Sequence, residues 1–274
     1  MDAIVVPIGD PSDARLTIRC AFAVAQRMQC RVVLTSVCSS AEVDPRDRAL
    51  RAAAVPFGDV APWTVTVVDA SSDIVSGTLS VSEAHNAMVC LRVSDRGAVS
   101  RWLSGSVAED VMRTSQRPTL CVGPAVTHVP LLGEEVDVVV STDDSRTSEV
   151  VFDAASAFAA GVGAASCEVV QAVGPDEDVA PSGGSPPTPL RDRARKHLAE
   201  GVARIARRGV RATAQVLPGH PERALVAETV RQEAGFIVVG TTGRTGIGRV
   251  TVGSVAAEVV RRSPCPVLVV PTSR

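Results

Sequence analysis

Apolar residues fall along this chain in short unbroken runs, separated by longer polar stretches with a helical period. Asp137-Val138-Val139-Val140-Ser141 and Phe236-Ile237-Val238-Val239 are runs of this kind in the second half. Such runs are too short for helices and suit strands buried on both faces, as in parallel sheets. The pattern predicts strand 137–141, helix 147–160, strand 167–173, helix 190–208, strand 211–217, helix 221–233, strand 236–240, helix 253–262 and strand 266–270. Strict alternation of strand and helix implies right-handed crossovers and a doubly wound α/β sheet. The first half reads the same way more faintly, from Ala3-Ile4-Val5-Val6-Pro7 to Thr119-Leu120-Cys121-Val122.

The two halves are copies. Gly105-Ser106-Val107-Ala108-Glu109-Asp110-Val111-Met112-Arg113 aligns with Gly253-Ser254-Val255-Ala256-Ala257-Glu258-Val259-Val260-Arg261, identical at six of nine positions. At the same spacing Arg96 matches Arg244, Arg101 matches Arg249, Ser115 matches Ser263 and Pro118 matches Pro266. A repeat at this spacing marks a tandem duplication of a whole domain. The predicted division is a first domain at 1–124, a linker at 125–135 rich in Pro and Gly, and a second domain at 136–274. The Pro-rich stretch from Gly174 to Pro189 is expected to be a mobile surface loop.

Composition narrows the function classes. Hydrophobic residues make up 45% and charged residues 21% of the 274, an ordinary globular mix that excludes disorder, collagen and coiled coil. A net charge of −2 gives no general attraction for nucleic acid or an anionic membrane. With 3% aromatics and no Tyr, base-stacking platforms are not expected either. No apolar run approaches the ~18 residues of a spanning helix, and the acidic start leading directly into a strand does not resemble a signal peptide. The expectation is a cytoplasmic protein with no nucleic-acid or membrane partner. The seven cysteines are scattered without a CxxC pair and read as reduced core thiols. The four histidines show no metal spacing and read as surface or turn residues, with His220 alone placed near a cleft.

The densest signal is the segment Gly240-Thr241-Thr242-Gly243-Arg244-Thr245-Gly246-Ile247-Gly248-Arg249-Val250-Thr251-Val252-Gly253-Ser254. It leaves a predicted strand and enters a predicted helix, and in an open α/β sheet ligands bind outside the carboxyl ends of strands. Glycines there let backbone N–H groups approach a phosphate, and the helix N-terminus adds donors and a favourable dipole. Gly248 to Ser254 has Walker-type glycine spacing but no Lys, and Thr251 breaks the dinucleotide pattern. Ser182-Gly183-Gly184, a weak pyrophosphatase hint, follows no strand. An unliganded glycine-rich connection remains an alternative. Arg244 and Arg249 read equally well as phosphate clamps or as solvated loop charges. The basic run Arg191 to His197 reads as a solvated helix face, and no nucleophile–base–orienter set assembles around Ser254.

Gly240-x2-Gly243-x9-Gly253-Ser254 resembles the G-x2-G-x9-G-[ST] signature of the universal stress protein family, in its ATP-binding branch. Ser263-Pro264-Cys265-Pro266-Val267-Leu268-Val269-Val270 is similar to the family's closing segment, as is Gly219-His220-Pro221 to another family stretch. The resemblance covers the whole chain. It implies two tandem Rossmann-like (adenine nucleotide alpha hydrolase-like) domains, each a five-stranded mostly parallel sheet with helices on both faces. It implies ATP, with or without Mg, held in the second domain. By the same resemblance the turn Thr142-Asp143-Asp144-Ser145 stands where the family has Val-Asp-Gly-Ser, so Thr142 and Asp143 fall on the adenosine side and Ala172 at the adenine wall. Gly240, Thr242, Gly243, Arg244, Gly253, Ser254 and Val255 fall on the ribose and phosphate side. Asp144 adds a carboxylate that repels phosphate, although Asp144 and Ser145 serve equally as helix caps.

The first copy departs from this pattern. Arg92 and Asp95 replace the glycines at 240 and 243, only Gly105-Ser106 survives, and Gly9 or a displaced Asp10 takes the place of Asp143. A degenerate first site is expected. The resemblance then implies an ATP-binding regulatory protein of the stress response, forming an internal pseudo-dimer through its last strands, with a homodimer and a regulatory protein partner beyond it. A nucleotide-independent interaction module is the alternative. A slow ATP hydrolase is a third reading, for which the phosphate loop offers no general base or metal cluster, so no enzyme is expected.

Overall fold

The computed structural model describes residues 1–69, 73–94, 107–143, 145, 147–174, 190–241 and 252–272. The first half builds β1 (Ala3–Pro7), α1 (Arg15–Met28), β2 (Arg31–Cys38), α2 (Val43–Ala54), β3 (Trp63–Asp69), α3 (Ile74–Ala84), β4 (Ala87–Arg92), α4 (Val107–Thr114) and β5 (Thr119–Val122). The second half repeats the order with β6 (Asp137–Ser141), α5 (Ser148–Val162), β7 (Ser166–Val173), α6 (Leu190–Ala206), β8 (Arg211–Pro218), α7 (Pro221–Arg231), β9 (Phe236–Gly240), α8 (Ser254–Arg262) and β10 (Val267–Val270). The predicted alternation therefore forms, with helix ends shifted by a residue or two.

All ten strands join one sheet in the order β3-β2-β1-β4-β5-β10-β9-β6-β7-β8. Every pairing is parallel except β5 with β10. The central strands lack polar–apolar alternation because both faces are covered. Ile18 of α1, Leu50 of α2, Phe152 of α5 and Leu198 of α6 pack on one face. Val111 of α4, Leu225 of α7 and Val259 of α8 pack on the other, joined by Val81 of α3.

In the antiparallel pair Leu120 stands opposite Leu268, flanked by Cys121 opposite Val267 and Thr119 opposite Val269. Leu120 and Leu268 occupy the same position in the two repeats, so a pseudo-two-fold axis passes between them. The internal pseudo-dimer expected from the tandem repeat is thus a backbone-bonded sheet. Across the axis α1 packs on α5. On the opposite face α8 closes so tightly on the end of β5 that a Cβ at Gly123 would lie 1.9 Å from the Val260 carbonyl oxygen. The segment that connects the halves is packed. Val126, Val129 and Pro130 are buried, and the Thr127 N–H donates to the Pro264 carbonyl at 3.0 Å.

All seven cysteines are free and buried. Burial pushes the Cys167 and Cys265 thiols up to about 12, which keeps them protonated and unreactive. One carboxylate pair is also sequestered. Glu168 on β7 and Glu228 on α7 adjoin, and Arg231 donates through Nε to both Glu228 oxygens at 2.9 and 3.0 Å. Burial first, and then the neighbouring Glu228, push Glu168 above the usual carboxylate range. Hydrogen bonding from Arg231 holds Glu228 below it.

Two outcomes follow from these contacts. Gly123→Ala should lower unfolding free energy by about 1–3 kcal/mol, since the new methyl meets backbone that cannot swing away; urea denaturation checks this. Glu168 binds its proton more tightly when folded, so its contribution to stability is complete below the ordinary glutamate value of 4.5. That contribution is lost as pH rises through the higher folded value. Glu168→Gln should therefore raise Tm at pH 7.5 and leave it unchanged at pH near 4, and an equal shift at both would contradict the assignment.

Candidate functional site

The strand order reverses direction between β6 and β9, and in an open α/β sheet this is where a crevice forms at the carboxyl ends. A cleft of about 400 Å³ lies there. Thr142, Asp143, Ala172, Gly240, Gly253, Ser254 and Val255 from the predicted set all line it. The remaining predicted residues, Thr242, Gly243 and Arg244, lie outside the described residues, as do Asp144, Arg249 and the stretch 175–189.

One wall is built by α8. Gly253 is its N-cap, extended at φ −58° and ψ 148°, with no side chain closing the helix end. The Gly253 N–H donates to the Thr241 carbonyl at 2.6 Å, and the Thr241 N–H to Val270 at 2.8 Å. These bonds pin the start of α8 to the ends of β9 and β10. The first-turn N–H groups of α8 have no partner within the helix, and they carry its positive dipole end into the cleft beside the exposed Ser254 hydroxyl. The other wall is apolar, formed by Ala172, Val239 and Val255.

Asp143 sits in the turn after β6, where its Oδ1 accepts the Ser145 N–H at 3.1 Å. Ser145 pairs its hydroxyl with Thr147 at 2.8 Å, and α5 begins with no side-chain capping bond. Ser145 is therefore a turn residue and not a helix cap. Thr142 is buried, and its hydroxyl donates to Ser148 Oγ at 2.7 Å. It also lies 3.1 Å from His197 Nε2. The His197 ring rests 5.2 Å from that of Phe152, so His197 is no surface residue; it backs the turn that carries Asp143. His220 is exposed at the N-cap of α7, and it is Pro221 that lines the cleft.

Sequence reasoning missed Ser148, Val151, Pro221 and Val239, which also line the cleft. Pro221 was read only as part of a family-like stretch and the others stand at helix and strand positions with no local motif, so the packing of α5 and α7 beside the strand ends is what brings them in. His197 was equally invisible, because its partner Thr142 lies 55 residues away in sequence.

The corresponding cleft of the first half is smaller, about 280 Å³, and includes Gly9, Asp10, Asp13, Ser36, Thr78 and Arg92. Arg92 stands where the second half has Gly240. Its Nη1 donates to the Asp13 carbonyl at 2.6 Å and lies 3.4 Å from the Asp13 carboxylate. The guanidinium thus spans the position through which backbone would approach a ligand. Asp95, Gly105 and Ser106 lie outside the described residues.

A sequence profile of the universal stress protein family matches residues 1–123 and again 137–271. The chain belongs to the universal stress protein family. A universal stress protein of Methanocaldococcus jannaschii is 44% identical over 62 residues, which is 23% of this chain and 36% of that relative. A second, from Thermus aquaticus, is 39% identical over 80 residues, or 29% of this chain and 56% of the relative. The chain thus spans about a third to a half of the length of these curated relatives. The crystal structure of a universal stress protein from Archaeoglobus fulgidus superimposes with a TM-score of 0.68 over 99% of this chain and 97% of its own. At 17% identity that likeness establishes the tandem fold.

Thr142→Val would remove the hydroxyl that bonds Ser148 Oγ and adjoins His197 Nε2. A loss of about 1–3 kcal/mol is expected on urea unfolding, against under ~0.5 kcal/mol for Ser145→Ala.

Proposed function

We infer that the second half of this universal stress protein holds ATP and that the chain works in the cytoplasm as a nucleotide-dependent regulatory protein. One observation carries the reading. The open N-terminus of α8, with Gly253 and Ser254, faces the same cleft as Asp143 and the apolar wall of Ala172, Val239 and Val255. The chemistry of this set suits an adenine nucleotide. The apolar wall takes the purine face, the Asp143 carboxylate accepts from ribose hydroxyls, and the helix terminus receives phosphate oxygens. Asp143 is the one carboxylate among the described lining residues, so Mg, where present, comes with the phosphates.

The first half is read as a structural partner that binds no nucleotide, because the Arg92–Asp13 contact spans its smaller cleft. The protein is proposed as a binding protein and not an enzyme, with a regulatory protein as its downstream partner. The Arg92–Asp13 contact in the first cleft also favours a second reading, an interaction module that needs no nucleotide.

Calorimetric titration of the nucleotide-stripped protein with ATP separates these readings. One site per chain is expected, and Gly253→Val should weaken it about tenfold or more, ~1.4 kcal/mol, while Arg92→Ala leaves it unchanged. Two sites would restore the first half as a nucleotide domain, and no binding would favour the interaction module.

A further inference from the structure

The first-half cleft differs from the second in chemistry as well as in size. Counted back from the ends of the matching helices, Thr17 on α1 takes the place of Val151 on α5, and Thr78 on α3 that of Leu225 on α7. Two apolar positions have thus become hydroxyls and a glycine has become Arg92, while the wall at Val37, Leu91 and Val107 stays apolar. Two of the new polar groups have nothing to bond. Thr17 is 2% exposed and Thr78 is fully buried, both line the cleft, and neither hydroxyl has a hydrogen-bond partner. A threonine inside a helix can return its hydroxyl to the carbonyl one turn back, as Thr229 does to Leu225 at 2.8 Å. A buried hydroxyl left unbonded is destabilising and marks a place where a partner belongs. The two stand on helices that cover opposite faces of the sheet, so they flank the strand ends from both sides.

The charges define what fits between them. Among the described lining residues Asp10 and Asp13 stand against Arg92, an excess of negative charge that disfavours phosphates. Arg92 bonds only Asp13 among the described residues. At 3.4 Å its contact with that carboxylate is longer than an ordinary hydrogen bond, and both side chains are exposed. Such a pair contributes little by itself. It can open to a ligand that carries the complementary two charges, a carboxylate for the guanidinium and an ammonium for the aspartate. Thr17 follows Asp13 by four residues at the start of α1, about one helical turn, a span that a five-carbon amino acid covers. The exposed side chains of Ile74 and Val107 beside the cleft suit a short aliphatic stem.

We propose that the first-half cleft binds a free α-amino acid with a polar tail, its zwitterionic head across Arg92 and Asp13 and its tail against the hydroxyls of Thr17 and Thr78. The inference goes beyond nucleotide binding and does not depend on it, since the two clefts open at opposite edges of the sheet.

The test titrates the full chain with L-glutamine by calorimetry. One-to-one binding with Kd of about 50 μM to 1 mM is expected, unchanged in saturating ATP. Arg92→Gln and Asp13→Asn, both at exposed positions that keep the fold, should each weaken it about tenfold or more. So should removal of either charge from the ligand, with 5-amino-5-oxopentanoate lacking the ammonium and 4-aminobutanamide lacking the carboxylate. Thr78→Val should weaken binding about threefold or more and raise the Tm of the free protein, because the unbonded hydroxyl is gone. Absence of saturable binding by L-glutamine, L-asparagine and L-threonine at concentrations up to about 10 mM overturns the proposal. Equal binding of either single-charge analogue overturns it as well, since the head is then not read as a zwitterion. A Thr78→Val variant that loses Tm and binds as before makes the threonine structural and has the same consequence. Competition by ATP would move the amino acid to the second cleft, which also defeats the proposal and leaves the nucleotide reading standing.

Discussion

The antiparallel ladder between β5 and β10 is the constraint on which the rest of the molecule depends. Taken separately, each half would end its sheet in a short strand, buried throughout in this fold, with one unpaired row of N–H and C=O groups. Pairing the two edges satisfies both rows and leaves β3 and β8 as the outer edges. Because Leu120 faces its own repeat counterpart, Leu268, the pairing also dictates the axis about which every other contact between the halves is arranged. The α1–α5 packing, the approach of α8 to Gly123 and the course of the connecting segment are consequences of that register.

The ladder also dictates how the two clefts relate. Within each half the strands run parallel, and the halves meet antiparallel, so the carboxyl ends of the two sets point to opposite edges of the sheet. The clefts accordingly open away from each other. The first could change without distortion of the second, and the duplication has used this freedom. The scaffold positions kept their character while the cleft positions diverged, most plainly where Gly240 in one half corresponds to an Arg92 tied to Asp13 in the other.

Much of this was legible along the chain. The apolar runs gave away the strands because strands covered on both faces need no polar alternation, and the repeated Gly-Ser-Val-Ala motif showed the duplication. Seven of the sixteen described cleft-lining residues were also legible, since a glycine-rich connection between strand and helix has a local physical meaning. His197 had none. Its position follows from α6 packing against α5 beside Phe152, and a histidine on a mixed-charge helix carries no mark of that neighbour. The linker was read only as a boundary rich in Pro and Gly with no period, yet Val126 and Val129 pack into the core formed by elements from both halves.

The sequence by itself determined the alternation of elements, the tandem repeat and part of the lining of the second cleft, all of which rest on local spacing and side-chain chemistry. The tertiary structure decided what depends on contacts between distant segments. These are the register of β5 on β10, the Thr142–Ser148–His197 contacts, the Arg92–Asp13 contact at the first cleft and the packing of the connecting segment. Each depends on which surfaces meet when two similar halves pack about one axis, and no short stretch of sequence carries that geometry.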